Sequence, residues 1–280
     1  MNSVNPAARL HYLKAMGIQQ WVRRSLPVLD AEELPTETIT PPSVNTANLQ
    51  THLQSLRQGL RNNDKPTVIQ KEIPAIVETN ALNFIDREVQ VLANLDWIAL
   101  EHRVTACTAC RLHQSRTQTV FGAGNQQADW LLIGEAPGAD EDLQGEPFVG
   151  KAGQLLTQIL TALQLPRTQV YIANVLKCRP PDNRNPAPDE LACCTPFLDR
   201  QIALIQPKII IALGAFAAQH LLNTNKPIGE LRGKQHSYAK TGIPLIATYH
   251  PAYLLRSPSQ KTKVWNDFQV ACQIFANLQP

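Results

Sequence analysis

"KIIIALGAFAAQHLL", residues 208–222, decides the fold class. Its first part is apolar at successive positions, so a strand over 208–213 is covered on both faces. Gly214 interrupts the run, and 215–222 continue as a helix. A strand buried on both faces that feeds directly into a helix is the repeating unit of a parallel sheet.

The same unit recurs on both sides. Residues 130–133 form an apolar run that stops at Gly134, and "GQLLTQILTAL" (153–163) has helical spacing. Residues 170–176 make a second strand. A helix over 189–205 is opened by "PAPDE", whose acids suit the positive end of the helix dipole. Residues 244–249 make a fourth strand, and 261–278 a closing helix. Strands alternating with helices imply a parallel sheet that binds ligands at the carboxyl ends of its strands.

Residues 1–95 have another texture. An amphipathic helix is expected over 7–24, with Leu10, Leu13 and Val22 on one side. Residues 27–50 are rich in Pro, Thr and acid and have little to bury, which reads as a linker. A short helix is expected over 51–62. The chain therefore divides into a loosely ordered N-terminal extension, 1–95, and a folded domain, 96–280.

The 280 residues are 44% hydrophobic. That supports one core of roughly 150–200 residues. No apolar run reaches the roughly 18 residues of a membrane span, and the start lacks the apolar region of a signal peptide. A soluble, intracellular, cytoplasmic protein is expected. The net charge of +3 arises after residue 95: nine basic and nine acidic residues precede it, 17 and 14 follow. Arg232, Lys234, Lys240, Arg256, Lys261 and Lys263 cluster around 247–258. They suit an anionic partner or a solvated basic face.

The four strand ends are "GEAPGADED", "ANVLKCRPPDN", "LGA" and "YHPAYLLR", and one pocket built from them is the economical inference. The loop over 134–153 is glycine-rich, yet it has neither the dinucleotide fingerprint nor a phosphate loop, since "GKAG" lacks the Ser/Thr and the spacing. Glu135, Asp140, Glu141 and Asp142 offer carboxylates there, with Asp140 and Asp142 read as surface acids at a helix start. Phe148 fits either a core position or a flat platform for a ring. Asn174 lies in a buried-looking strand, and its carboxamide can pair bidentately with a base edge. His250 ends a strand before a proline. Tyr253, Leu254 and Leu255 either pack under the sheet or form an apolar tip that wedges between bases.

Cys107 and Cys110 form C-x-x-C, Cys178 follows the second strand, and Cys193 and Cys194 lie 15 and 16 positions further on. A four-thiolate site follows, holding zinc or an iron–sulfur cluster, and spacing alone favours neither. Cys272 reads as a small core residue.

In this order, "GEAPGADED", "EPFVGKAGQLL", "NVLKCRPPDNRNPAPDE" and "YHPAYLLR", with C-x-x-C upstream, resemble the family-4, iron–sulfur branch of the uracil-DNA glycosylase superfamily over about 98–278. The resemblance implies a three-layer α/β/α sandwich with a four-stranded parallel central sheet. It implies excision of uracil from DNA, leaving an abasic site. It implies a [4Fe–4S] cluster on Cys107, Cys110, Cys178 and Cys194, with zinc as the competing metal. Cys194 fits the family spacing better than Cys193. The cluster is expected to clip 179–193 to the chain before the first strand.

By the same resemblance, Phe148 would stack on the flipped uracil and Asn174 would read its pairing edge. Glu141 would lie near C5, where thymine carries a methyl group, and His250 would contact O2. Ala136 stands where another branch of the superfamily has an aspartate, so Glu135 becomes the candidate for positioning water. Tyr253, Leu254 and Leu255 would support or fill the gap in the stack, and Arg256 would hold phosphate. No nucleophilic lysine is evident, so a monofunctional enzyme is expected. The alternatives are a glycosylase for another deaminated base and a non-catalytic, metal-containing DNA-binding module. Residues 7–24 faintly resemble the tail of a clamp-loader psi subunit. They imply docking on a replication or repair protein through Trp21, or a helix folded back on its own domain. A monomer is expected.

Overall fold

The computed structural model describes residues 90–278. The helix expected over 7–24, the linker over 27–50 and the helix over 51–62 lie outside the described residues. The strands are β1 (Ala123–Gly124), β2 (Trp130–Gly134), β3 (Val170–Asn174), β4 (Ile209–Leu213), β5 (Gln235–Ser237) and β6 (Pro244–Thr248). The helices are α1 (Trp97–Thr105), α2 (Ala139–Gln144), α3 (Lys151–Ala162), α4 (Pro188–Ile205), α5 (Ala215–Leu222), α6 (Ile228–Leu231), α7 (Pro251–Arg256) and α8 (Lys261–Asn277). No helix among the described residues is long and apolar enough to cross a membrane.

The sheet order is β1-β3-β2-β4-β6-β5. The inner four strands are parallel, with Leu132 registered against both Ile172 and Ile211, and Ile211 against Ile246. Alternate residues of these strands point to opposite faces. Leu132, Ile172, Ile211 and Ile246 join Leu156 and Leu160 of α3 and Phe268 of α8 in one core. Leu131, Tyr171, Ile210 and Leu245 join Leu198 and Ile202 of α4 and Leu221 of α5 in the other. Three layers result, as expected.

The chain winds from β2 to β3 and then crosses back over β2 to β4. Right-handed crossovers require the connecting helices to change faces at such a reversal, and α3 and α4 lie in opposite cores. The reversal opens a crevice at the carboxyl ends of the inner strands.

Two expectations need correction. The sheet has six strands among the described residues, because β1 and β5 add antiparallel edges. These edges are two and three residues long and carry no apolar run, so no periodicity announces them. The segment after His250 is not an apolar tip but the helix α7, started by Pro251 at its first turn. Leu254 faces inward at 0% exposure and belongs to the α3–α8 core, while Leu255 on the next position is 46% exposed. Tyr253 packs on the same core with its ring 5.0 Å from that of Tyr249.

These positions separate packing from surface roles. Leu254→Ala is expected to lower the unfolding free energy by about 2–5 kcal/mol through the cavity it leaves. Leu255→Ala should change it by less than about 0.5 kcal/mol. Urea denaturation of both variants checks this, and equal effects would contradict the packing described.

Candidate functional site

Glycine carries the chain out of β2. A Cβ on Gly134 would lie 2.4 Å from Asn174 Oδ1 and 2.7 Å from the Phe148 ring, so only a hydrogen fits. Asn174 ends β3 directly beside it in register. The Asn174 side chain is buried, and its Oδ1 has no hydrogen-bond partner. Buried polar atoms are seldom left so, and each such atom calls for an explanation.

Phe148 stands over this pair. Its backbone takes a positive φ of 56°, unusual outside glycine, and its ring lies 5.4 Å from that of His250 at 32°. The Glu141 carboxylate takes hydrogen bonds from the backbone N–H groups of Val149 (3.0 Å) and Gly150 (3.1 Å) at one oxygen and of Gly138 (3.1 Å) at the other. One side chain thus ties α2 to the loop that holds Phe148. Asp142, read from sequence as a surface acid, is buried and accepts the Thr117 N–H at 3.0 Å through both oxygens. Its neighbour Asp140 is exposed, as expected.

His250 is the N-cap of α7. Its Nδ1 accepts the Ala252 N–H at 3.1 Å, so the neutral ring carries its proton on Nε2. Burial lowers its pKa from 6.5 to about 4; Glu141 opposes that shift and Arg256 adds to it. The strand behind is braced by buried Asp267, which accepts from the Thr248 hydroxyl (2.6 Å) and from Arg232 (2.6 and 3.1 Å). Arg232 is therefore engaged inside the fold, and Lys240 pairs with Asp199. Neither belongs to a free basic face.

Glu135, Ala136, Glu141, Phe148, Asn174, His250 and Arg256 line one pocket of about 1060 Å³ counted to its open mouth, ample for a planar heterocycle and part of a strand carrying it. Burial pushes the Glu135 carboxyl above its ordinary range. Leu254 stands apart from the pocket in the core. The wall opposite is the strap between Cys178 and α4, through Pro180, Asn183, Arg184 and Asn185. These residues were not singled out in the sequence, although paired Asx residues between prolines were a usable signal. Asp182 and Asn183 take positive φ values of 54° and 52°, which Asp and Asn tolerate best.

The same strap borders a second cavity. Cys107, Cys110, Cys178, Cys193 and Cys194 line one small cavity together with Arg116 and Lys177. Arg116 donates to Cys178 Sγ at 3.0 Å, and Cys193 Sγ donates to the Ala109 carbonyl at 3.4 Å. Burial pushes the thiols of Cys110, Cys178 and Cys193 up, and that of Cys194 up to about 12. Only a bound cation would make such thiols anionic at neutral pH. No group of three or more His, Cys, Asp or Glu side chains among the described residues is arranged to hold one metal ion. Five thiols around one small cavity are the donor type that a zinc ion or an iron–sulfur cluster takes. Ala136 packs against Leu112, Leu176, Cys178 and Cys194, so cavity and pocket share a wall. Cys272 packs against the α3–α8 core.

Comparison with known proteins shows the family. A family model described as the uracil DNA glycosylase superfamily matches residues 121–269. The chain is 43% identical over 195 residues to a type-4 uracil-DNA glycosylase of Archaeoglobus fulgidus, covering 68% of this chain and 97% of that protein. It is 46% identical over 165 residues to the type-4 enzyme of Thermotoga maritima, covering 59% and 85%. A type-5 uracil-DNA glycosylase of Thermus thermophilus is 31% identical over 149 residues, covering 47% and 68%.

The histidine gives the check on the geometry. Its folded pKa of about 4 lies below the ordinary 6.5, so the unfolded chain binds more protons between those values. The resulting stability is full above pH 6.5 and is lost as pH falls toward 4. NMR of the His250 ring protons should show an inflection near 4, and His250→Gln should flatten the fall in unfolding midpoint across that window. A ring titrating at 6.5 would contradict the buried, neutral imidazole.

Proposed function

The chain belongs to the uracil-DNA glycosylase superfamily, and from that membership and its pocket we propose that it hydrolyses the N-glycosidic bond of uracil in DNA without a lyase step. One observation carries the assignment to uracil. An acceptor without a protein partner, a free N–H donor and an aromatic platform meet in one pocket.

A base within the duplex is out of reach, so it is extruded at a cost of a few kcal/mol. Uracil presents O4, N3–H and O2 along one side. Asn174 Oδ1 accepts from N3–H while its amide group donates to O4. Cytosine offers the reverse polarity at those two atoms and leaves buried groups unpaired, a penalty of about 1–3 kcal/mol each. Phe148 stacks on the ring. Glu141 borders C5, and its three backbone hydrogen bonds keep it from swinging aside for a methyl group.

As the C1′–N1 bond breaks, its electron pair passes into the uracil ring and charge gathers at O2. His250 Nε2–H donates to that oxygen. Glu135 holds the attacking water and faces the cationic sugar, and the water's proton leaves to solvent through the carboxylate. Ala136 leaves this water space open. No lysine lines the pocket among the described residues, which supports hydrolysis without Schiff-base chemistry. Leu255, exposed beside the pocket, and Arg256, at its mouth, serve the gap in the stack and a phosphate.

Cys107, Cys110, Cys178 and Cys194 would hold a [4Fe–4S] cluster. When bound, it supplies a cross-link among the C-x-x-C turn, the strap and α4. Five cysteines lining one cavity support a thiolate-held metal group there.

The test is an end-labelled oligonucleotide with one uracil, incubated with anaerobically purified protein and treated with alkali. Cleavage is expected at uracil and not at thymine, with His250→Ala slower by about 10²–10³-fold. The protein should be brown and contain iron and sulfide. Release of another deaminated base in place of uracil would redirect the substrate. No release by folded, iron-loaded protein would leave a binding module, and stoichiometric zinc without iron would replace the cluster.

A further inference from the structure

Phe148 lies in a conformation that its own residue type resists. A non-glycine residue held at positive φ costs on the order of 1–3 kcal/mol, and surrounding contacts must impose it. Glu141 fixes the peptides after it. Gly153 removes an obstacle, since a Cβ there would lie 1.7 Å from the Phe148 carbonyl oxygen. The third contact comes from outside the pocket. Arg167, in the turn Arg167–Gln169 before β3, donates from Nη2 to the Pro147 carbonyl at 2.8 Å and from Nη1 to the Phe148 carbonyl at 3.2 Å. Nη1 also reaches Thr157 Oγ1 on α3 at 3.3 Å.

We infer that Arg167 is a positioning residue for base recognition, acting through Phe148. A planar guanidinium offers two parallel donors in a fixed fork, which suits two successive carbonyls turned the same way. Those carbonyls turn together only while Phe148 holds its positive φ. Releasing the fork lets the peptide relax and carries the ring away from His250 and Gly134. Arg167 does not line the base pocket, so it touches neither uracil nor the reacting atoms. It borders instead an open groove with Ala123, Gly124, Asn125, Glu146 and Thr168.

This inference rests on the uracil reading, and a double-mutant cycle tests it. Arg167→Met is expected to lower kcat/KM on a single-uracil oligonucleotide by about 10- to 100-fold, as misplaced recognition groups do. In a Phe148→Ala background the same change should cost less than about threefold. Equal losses in both backgrounds, or none in the first, would overturn the proposal. A second measurement needs no substrate. The His250 ring protons lie beside the Phe148 ring, so their NMR shifts should move in Arg167→Met and stay put if Arg167 serves only the fold. Where Arg167→Met does not fold, Arg167→Lys replaces it in both measurements. A lysine keeps the charge but cannot span both carbonyls, so smaller changes in the same directions are expected. Inactive wild-type protein with a shifted His250 signal would sink the substrate reading and leave the clamp standing.

Discussion

There is no room for a methyl group at the end of β2. Gly134 sits where Asn174 Oδ1 and the Phe148 ring converge to 2.4 and 2.7 Å from an absent Cβ. Parallel register brings Asn174 beside it, and α3 begins directly after the loop that carries Phe148. Any side chain at 134 would push the carboxamide and the ring apart, and the recognition surface exists only while both stay. The glycine is needed here for close approach and not for its dihedral freedom.

The cysteine cavity and the pocket are mechanically one unit. The strap leaves Cys178, walls the pocket, and enters α4 at Pro188. Glu190, fully buried at the start of α4, accepts from Arg184 of the strap (2.5 and 2.9 Å), from Arg111 after the C-x-x-C turn (3.1 Å) and from the Ala187 N–H. Arg184 above all holds its carboxyl down at about 2. On the other flank, buried Lys177 donates to the Asn174 carbonyl (2.8 Å) and to Gln201 Oε1 (2.6 Å), and Gln201 donates to the Phe121 carbonyl. Burial lowers the Lys177 pKa to about 7, and its two hydrogen bonds tie the backbone of Asn174 to α4. Thiol ligation would close the remaining side of the same frame.

Much of this was legible because parallel sheets concentrate function at strand ends. The four inner strands and their helices follow from apolar runs and their spacing, and the pocket residues were those that looked out of place at the ends of such runs. Other features left no trace in local pattern. The edge strands are too short and polar to show a period. Leu254 and Leu255 are adjacent and alike in sequence, and only the helix begun by His250 and Pro251 sends one into the core and the other outward. Asp142 looked like the surface acids around it because its partner is a backbone N–H 25 residues away. Arg167 and Lys177 escaped for the same reason. Each bonds a main-chain carbonyl near the pocket, which every residue has and no sequence pattern marks.

In the proposed reading the pocket gains its selectivity from groups left unsatisfied or strained in the free protein. Asn174 Oδ1 lacks a partner, Phe148 holds a positive φ, and His250 is kept neutral with a free Nε2–H. The first two each disfavour the folded state by roughly 1–3 kcal/mol on general grounds. Each is also already aligned, so little reorganisation remains when charge develops on the leaving base. A cationic imidazole would attract that charge more strongly. It would also draw in Glu135 as a counter-ion and hold it against the substrate. A neutral donor favours the developing anion over the ground state without recruiting a competitor. A neutral His250 thus complements the acceptor of Asn174 and the ring of Phe148, and the two cores and the bonded strap supply the stability against which those unsatisfied and strained groups are tolerated.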